Sequence, residues 1–509
     1  MALRSAGSLL IRIDPRSGEG LQQQVYSGIR RAILEGVAGP GTRLPSSRAL
    51  AADLGVSRTT TLLALDQLLA EGYLTTRRGS GTFVAPELPD EMPRAHAGRP
   101  ARASHPPLSR RGMALARLTP AARRVSVSPP RAFRLGVPAV DAFPVALWAR
   151  LANRRLRSIT ASQLDYGEAA GLRALREAIA GHVSAARGTR CEAEQVFVVA
   201  GAQRATEIAC QLLLDHGDQA WMEEPGYPGT RKALLAAGAR VVPVPVDAEG
   251  LDVGWGVRRA GQARLACVAP SHQFPSGVPM SLRRRLALLS WARAADAWIV
   301  EDDYDSEFRH GARPLPSLHG LDADGRVIYV GSFAKALFPS LRLGFLIVPP
   351  SLCAPVRAAR SGSELHPPAL DQAVLADFML AGHFERHIRR MRVLYRERLE
   401  ALRAAAERHC GGALRVRPVH TGLHAVADLL GADAERVCEA AAALGVEVMP
   451  LSAYCFGRAR PANALVLGFG AVRPDVLARG MERLSAAIEA ARREPGPLKP
   501  WPAGAPASS

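Results

Sequence analysis

The chain has 509 residues and a mass of 54.3 kDa. Its 48% hydrophobic and 22% charged residues exclude a disordered protein, and its length predicts about three domains. Lysine and arginine total 65 against 47 acidic residues, so the net charge of +18 favours a polyanionic partner such as nucleic acid.

Other protein classes are excluded by cysteine usage and hydropathy. The seven cysteines include no Cys-x-x-Cys pair, which argues against a disulfide framework and against a zinc site. No apolar run approaches the about 18 residues of a membrane span, and charges and proline interrupt the N-terminal segment where a signal peptide would be apolar. We therefore expect a cytoplasmic protein with reduced thiols and no membrane contact.

Composition divides the chain into four parts. We expect a head over residues 1–85, a linker over 86–131, a body over 132–493 and a disordered tail over 494–509. The linker holds nine prolines, with nine arginines against three acids, and too few apolar residues for a core. Head and linker together carry +10 of the net charge, so the positive surplus is concentrated there and the linker can add salt-dependent affinity for DNA.

Three helices and a hairpin are predicted in the head. Val25, Ile29, Ile33 and Leu34 recur at helical spacing before a Gly-Pro-Gly stop. A second helix follows the capping residues Ser46 and Ser47 and ends at Gly55, and a third begins after Ser57 and ends at Gly72. In the third helix, we expect an inward stripe of Leu62, Leu65 and Leu69.

The helix, turn, helix order is that of a DNA-reading motif, whose second helix enters the major groove with its N-terminal end. The β-like runs Tyr73–Thr76 and Thr82–Val84 flank Arg77-Arg78-Gly79-Ser80-Gly81, which predicts a wing that approaches a phosphate backbone. From this pattern alone, a three-helix scaffold with solvated arginines is about as well supported as DNA binding.

The segment PGTRLPSSRALAADLGVSRTTTLLALDQLLAEGYLTTRRGSGTFVA resembles, along its whole length, the winged helix-turn-helix of GntR-type regulators. The resemblance implies a double-stranded DNA operator as partner. The DNA-contacting residues that it implies are Arg48, Ser57, Arg58, Thr60 and Gly79, together with Arg43 and Arg77.

The body alternates β-type runs with helical segments, which predicts an α/β fold with a mostly parallel sheet. We expect strands at Val196–Ala200, Val241–Val246, Leu265–Ala269, Trp298–Val300, Val327–Val330 and Phe345–Val348. Ligands collect at the carboxyl ends of such strands. Gly201-Ala202-Gln203 after the first run could hold a phosphate at a helix N-terminus or be a simple turn. The acids after Trp298–Val300 could bind a metal, cap a helix or pair with a ring nitrogen.

Lysine is rare in this chain, and one lysine stands at a strand end. Only Lys232, Lys335 and Lys499 accompany 62 arginines, so Lys335 in Gly-Ser-Phe-Ala-Lys is not a plain surface charge. Arginine can replace a lysine charge but cannot form a Schiff base. The Ser-x-x-Lys reading of penicillin-recognising enzymes fails, because no lysine here is followed by Thr-Gly.

Pyridoxal phosphate would use all three sites: a lysine for its aldehyde, an aspartate for its ring nitrogen and a cradle for its phosphate. The segments YGEAAGLRALREAIA, AGAQRA, EEPGYPGTR, PSHQFPSG, EDDYDSEFR and GSFAKALFPSLRLGF resemble the MocR subfamily. In that subfamily, a GntR-type head is fused to a fold-type I aminotransferase-like body. The resemblance covers about residues 15–490.

The resemblance implies a role for each matching residue. Lys335 would form the Schiff base, Asp302 would keep the ring nitrogen protonated, Tyr304 would bond the ring hydroxyl and Tyr227 would stack on the ring. A head-to-tail homodimer is implied, in which the neighbouring subunit completes each site, and no metal is expected. The residues implied to hold the phosphate are Gly201, Ala202, Gln203, Ser332, Arg342 and the neighbour's Tyr166.

Two positions depart from the aminotransferase pattern. Phe274 replaces the asparagine that bonds the ring hydroxyl, so Gln273 or His272 must substitute or the contact is absent. Val466 replaces the arginine that clamps a substrate carboxylate, with Arg473 a few residues on. These residues predict a regulator that senses pyridoxal phosphate, with room for a further small-molecule effector. The resembled family includes regulators of vitamin B6 synthesis and of amine or taurine catabolism, and the missing carboxylate clamp favours the first. A working aminotransferase with an accessory DNA-binding head, and a body that only dimerises, are the alternatives.

Overall fold

The computed structural model describes residues 11, 13–14, 17–77, 79–89, 108–117, 130–311, 316–457 and 462–493. The predicted disordered tail and most of the predicted linker lie outside these residues. The chain divides into two compact units, residues 1–107 and 108–509. A helix, α4 (Arg110–Arg117), lies within the predicted linker segment and belongs to the second unit.

The head is a three-helix unit with a two-stranded wing. Its elements are α1 (Leu21–Leu34), α2 (Ser47–Leu54), α3 (Arg58–Ala70), β1 (Leu74–Arg77) and β2 (Gly81–Val84). The strands pair antiparallel, with Arg77 opposite Gly81. The Ser46 and Ser57 side chains cap α2 and α3 by accepting from the backbone N–H groups three residues on.

The core of the head confirms the predicted stripe of α1 and corrects that of α3. Val25, Ile29 and Ile33 are buried, as the spacing predicts. In α3, however, the buried residues are Thr61, Ala64, Leu65 and Leu68, whereas Leu62 is 38% exposed. Leucine occupies almost every side of this helix, so its sequence does not distinguish the buried face from a face rotated by about 100°.

The body is built on an eight-stranded sheet in the order β3-β10-β9-β8-β7-β4-β5-β6. Strands β4, β5, β7, β8 and β9 run parallel, while β10 is antiparallel to both of its neighbours, so β3 runs in the same direction as β9. All six predicted strands are present. The bounds are β3 (Val196–Val199), β4 (Gln219–Glu224), β5 (Arg240–Asp247), β6 (Gly250–Leu251), β7 (Leu265–Val268), β8 (Trp298–Asp303), β9 (Val327–Ser332) and β10 (Gly344–Ile347).

Helices cover this sheet and connect it to a smaller antiparallel sheet of order β11-β12-β14-β13. The small sheet consists of β11 (Leu414–Val416), β12 (His424–Leu429), β13 (Met449–Pro450) and β14 (Ala464–Gly468). None of the helices in the described ranges is both long and apolar enough to cross a membrane. The helices of the body after α4 are α5 (Val145–Arg157), α6 (Ala161–Leu164), α7 (Arg173–Arg187), α8 (Ala202–Leu213), α9 (Pro228–Ala237), α10 (Val253–Ala260), α11 (Leu282–Ala294), α12 (Leu318–Leu321), α13 (Phe333–Ala336), α14 (Pro350–Ser361), α15 (Ala369–Leu380), α16 (His383–Cys410), α17 (Ala434–Ala443) and α18 (Pro474–Arg493).

Candidate functional site

The predicted site residues of the body, apart from Tyr166, lie along one edge of the large sheet. The strands β3, β4, β7, β8 and β9 all end at this edge, because they share one direction. The segments that follow them carry the residues singled out from the sequence. The parallel topology therefore gathers positions that are far apart in the chain.

One end of the site can hold an anion. Gly201 follows β3 with φ +91° and precedes α8, whose first turn has no side-chain cap, so its backbone N–H groups remain available. Arg342 reaches this turn and donates to the Ala200 carbonyl at 3.1 Å. Arg342 itself has a left-handed backbone (φ +53°), a conformation that costs free energy in a non-glycine residue and is frequent at functional sites.

Gln203 and Ser332 lie at helix starts beside this end. The Gln203 side chain donates to the Gly229 carbonyl at 3.1 Å and thereby connects the start of α8 to the start of α9. A Cβ atom at Gly229 would lie 2.2 Å from Gln203 Oε1 and 2.3 Å from the Tyr227 ring, so this contact requires glycine. Ser332 ends β9 and caps the short α13 that carries Lys335.

Lys335 is half-buried and faces the N-terminal segment of the body. Its Nζ donates to the carbonyl of Gly136, and a Cβ atom at Gly136 would lie 3.0 Å from that nitrogen. Its charge also acts on Asp302 and His424. The amine is therefore held at the sheet edge beside the acid that the sequence assigns to a ring nitrogen.

The three consecutive acids of β8 have different environments, because side chains alternate along a strand. Glu301 accepts from the backbone N–H groups of Leu318 and His319 at 3.0 and 2.9 Å and so caps α12. Asp303 pairs with the buried Arg187 at 2.7 Å. Asp302 points to the opposite face, and its Oδ1 is buried with no hydrogen-bond partner among the described residues. This unpartnered oxygen fits a protonated ring nitrogen.

The environment of Asp302 predicts a pH-dependent stability. Burial, with a smaller contribution from Asp303 and Asp305, raises the pKa of Asp302 to about 7, and Lys335 opposes the shift. In the unfolded chain the carboxyl titrates near pH 4. The folded protein without cofactor therefore retains a proton that the unfolded chain releases, so its stability falls as the pH rises from about 4 to about 7.

We expect Asp302→Asn to remove the contribution of this one carboxyl to the pH dependence, while Glu223 and Glu301, whose pKa values burial raises to about 8 and about 7, retain theirs. At about pH 8 the cofactor-free variant should be more stable than the wild type, by on the order of 2 kcal/mol, and at about pH 4 the two should be equal. Urea unfolding at both pH values measures the difference, with the exposed Asp215→Asn as the matched control. A difference in stability between wild type and Asp302→Asn that is the same at both pH values would contradict the raised pKa of Asp302.

The two tyrosines assigned to the ring are at this edge, whereas Tyr166 is not. Tyr304 follows β8, and Tyr227 precedes α9 with its ring edge-to-face with Phe274 at 5.6 Å. Tyr166 is 85% exposed, and the adjacent Leu164 is 72% exposed. In a single chain, the Tyr166 side chain therefore projects into solvent instead of lining the site.

The two departures from the aminotransferase pattern form one apolar wall. Val466 is fully buried in a cluster with Val426 and Tyr454, and Phe274 packs against that cluster. Arg473 does not supply the missing charge here, because its side chain is 72% exposed and lies 3.6 Å from Asp475. The position that the sequence matched to the carboxylate clamp is therefore hydrophobic and covered.

The resemblance identified neither Asp305 nor His424 at this edge, and it left His272 undecided. His272, Asp305 and His424 place one donor atom each within 4.8 Å of one another. His272 Nδ1 lies 2.9 Å from Asp305, and His424 Nε2 donates to the Pro275 carbonyl at 3.0 Å. These atoms hydrogen-bond within the protein, so we interpret the three residues as a polar network. The acid in Tyr-Asp-Ser and the histidine in Ser-His-Gln are its only sequence signals.

In the head, the residues implied to contact DNA belong to α2, the start of α3, the wing and the segment that precedes α2. Arg48, Arg58 and Gly79 are exposed, and Thr60 is half-buried. Ser57 is also exposed, but its hydroxyl already bonds Thr60 Oγ1 at 2.7 Å and caps α3. The remaining two residues contact Phe83 of the wing: Arg77 covers its ring at 5.0 Å, and Arg43 forms a backbone bridge to it.

Comparison with known proteins identifies both units. Residues 21–84 match the bacterial regulatory protein gntR family, and residues 134–462 match aminotransferase class I and II. The probable rhizopine catabolism regulatory protein MocR of Rhizobium meliloti is 42% identical over 94% of this chain and 96% of that protein. The pyridoxine biosynthesis transcriptional regulator PdxR of Corynebacterium glutamicum is 33% identical over 94% of this chain and 98% of that protein.

The structural comparison agrees. The α-aminoadipate aminotransferase LysN of Thermus thermophilus, solved with N-(5'-phosphopyridoxyl)-L-leucine, is 28% identical with a TM-score of 0.67, over 74% of this chain and 97% of that chain. A DNA-binding winged helix fused to an aminotransferase fold defines a class of transcriptional regulators. The chain belongs to the MocR subfamily of GntR-type regulators, which confirms the resemblance seen in the sequence.

Proposed function

We propose that the body binds pyridoxal 5'-phosphate through Lys335 and that this binding controls how the head engages its operator. When bound, the cofactor supplies an aldehyde for the lysine amine and an electron-accepting ring. Asp302 would protonate and hold the ring nitrogen, Tyr227 would cover the ring, and Arg342 with the start of α8 would hold the phosphate. The observation that carries the proposal is the buried, unpartnered Asp302 Oδ1 beside Lys335.

Operator binding with and without pyridoxal phosphate tests this function. A cofactor that favours one arrangement of the heads should change operator affinity by about 5- to 150-fold, the usual range of coupling between sites. Gel-shift titration and footprinting of the full-length protein measure it. Equal affinity and an equal footprint in both states would exclude the sensing role.

A homodimer is part of the proposal. Tyr166 and Leu164 are among the most exposed large side chains of the body, and exposed apolar groups mark interfaces when they cluster. We infer a head-to-tail dimer in which Tyr166 reaches the phosphate end of the neighbour's site. Sedimentation measures the dimer, and Tyr166→Ala should weaken cofactor retention without changing the Lys335 environment of its own chain.

We infer vitamin B6 metabolism as the regulated process, with the cofactor itself as the signal. The hydrophobic wall at Val466 and Phe274 offers no polar anchor to an amino acid, which suits a protein that senses the cofactor. The similar PdxR is a pyridoxine biosynthesis regulator. A second small-molecule effector would contact the hydrophobic wall at Val466 and Phe274. An apolar ligand or an amine fits this wall better than a carboxylate does.

A working aminotransferase is the rival function, and the hydrophobic wall predicts how it fails. An intact carboxylate clamp would favour an amino acid over the amine of the same side chain by on the order of 10²-fold or more. Without that clamp, we expect each L-amino acid to convert the bound cofactor no faster than its decarboxylated amine. Stopped-flow absorbance of matched pairs measures the ratio. Rapid, complete conversion by one amino acid alone would favour the enzyme.

A further inference from the structure

The ring-hydroxyl position has no polar side chain where aminotransferases carry asparagine. Phe274 stands there, edge-to-face with Tyr227. Gln273 is buried and does not replace the asparagine, since its Nε2 donates to the carbonyls of Pro225 and Phe274 at 2.8 and 2.6 Å. Its Oε1 accepts from the Ser276 backbone at 3.1 Å. Both polar atoms of the Gln273 side-chain amide are therefore engaged in hydrogen bonds that hold the loop to which Gln273 belongs.

His272 contacts the tyrosine that faces the missing residue's position. Its Nδ1 lies 3.1 Å from the Tyr304 hydroxyl and 2.9 and 3.1 Å from the two carboxylate oxygens of Asp305. The side chains of His272 and Asp305 are only 1% and 2% exposed. This contact, together with the approach of the two rings to a centroid distance of 5.7 Å, brings His272 to Tyr304, whereas the Gln273 amide bonds backbone groups.

The three oxygens around Nδ1 determine where the protons are. A carboxylate can only accept, so Nδ1 carries the hydrogen and donates it to Asp305. Tyr304 then lies at acceptor distance from the same N–H, which leaves its own O–H hydrogen free to point elsewhere. Burial raises the pKa of Tyr304 well above its usual value, so the hydroxyl stays protonated.

The surrounding groups keep this arrangement in place. His424 has its ring centroid 4.6 Å from that of His272, and burial holds its pKa far below the usual value, so it is neutral. His310 is also kept neutral by burial, which lowers its pKa, and it contacts the Gly422 carbonyl at 2.9 Å. A Cβ atom at Gly422 would lie 2.3 Å from His272 Nδ1 and 2.5 Å from the Asp305 carboxylate. Glycine is therefore required where the chain covers the pair.

The other charged groups near this network lie on β4, on β8 and on α13. The carboxyls of Asp302, Asp303 and Glu223 act on Tyr304 together with Asp305, and Lys335 acts on His424. All four carboxyls favour the protonated, donating form of the tyrosine. The contact of the tyrosine oxygen that carries the inference is the one with His272 Nδ1, at 3.1 Å.

We propose that His272, held by Asp305, is a positioning residue that orients the Tyr304 hydroxyl toward the ring hydroxyl of the cofactor and so replaces the missing asparagine. This inference rests on the proposed cofactor site. A hydrogen bond from Tyr304 stabilises negative charge on the ring oxygen, so it lowers the pKa at which the lysine-bound cofactor loses its proton.

The test is a pH titration of the visible absorbance of the full-length protein with pyridoxal phosphate. His272→Ala should raise the midpoint by about one pH unit, the value of one hydrogen bond to a charged group. His272→Asn retains a donor near the Nδ1 position and should restore most of the wild-type midpoint. If His272→Ala does not fold, Asp305→Asn serves as the second variant, because it keeps the shape of the carboxylate. It should shift the midpoint in the same direction.

A double-mutant cycle separates positioning from general damage. Tyr304→Phe should raise the midpoint by itself, and adding His272→Ala should then change nothing, because His272 acts through the hydroxyl. An unchanged midpoint in His272→Ala, or an equal shift in the Tyr304→Phe background, would overturn the inference. A wild type with no visible band would refute the proposed cofactor site and this inference with it, whereas a band insensitive to His272 refutes the inference alone.

Discussion

Lys335→Ala should abolish the visible absorbance of the cofactor-loaded protein and weaken its retention of pyridoxal phosphate by roughly 100-fold. The reason is that Lys335 is the amine held beside Asp302, and no other described residue at that edge can form a Schiff base. Absorbance spectra and equilibrium dialysis measure both effects. Operator affinity should then no longer respond to the cofactor.

Two control variants make the result specific. Lys335→Arg retains the positive charge but cannot form the covalent bond, so it should fail in the same way as alanine. Lys232→Ala removes an exposed lysine on α9 and should leave both measurements unchanged. If Lys335→Ala regulated its operator normally, the body would serve only for dimerisation, and the sensing function would be excluded.

Arg58→Ala should reduce operator affinity by about 10- to 100-fold, which corresponds to the loss of one good base contact. Arg58 is the first residue of α3, and its exposed side chain is at the helix end that enters the major groove in this motif. Fluorescence anisotropy with operator and with unrelated DNA measures the change. The loss of affinity for unrelated DNA should be smaller than the loss for operator, because base contacts determine the sequence preference.

The wing provides a contrasting variant. Arg77 lies over Phe83 in the hairpin, where it can reach a phosphate. Arg77→Ala should therefore lower the affinity for operator and for unrelated DNA about equally and make DNA binding less dependent on salt concentration. Arg31→Ala, on the exposed side of α1, is the matched control for the loss of one positive charge. An Arg58→Ala variant that behaved like Arg31→Ala would contradict the predicted recognition surface.

Much of the fold could be predicted from the sequence, because it depends on local patterns. The six β-type runs of the body are all strands, and the capping serines and glycine stops of the head delimit its helices. The inward face of α3 could not be predicted, since leucines are distributed around that helix. The second unit also includes α4, a helix in a segment whose proline and arginine content favoured an extended chain.

Sequence by itself determined the two units and the α/β class of the body and singled out Lys335 as a candidate, because rarity, order and spacing are properties of the chain. Only the tertiary structure decided which of three consecutive acids is free for a ligand. Strand alternation sends Asp302 to one face, while Glu301 caps a helix and Asp303 pairs with Arg187 on the other. It likewise showed that the Gln273 amide bonds backbone carbonyls and that His272 contacts Tyr304. Such partners come from distant segments, and a linear sequence does not contain those distances.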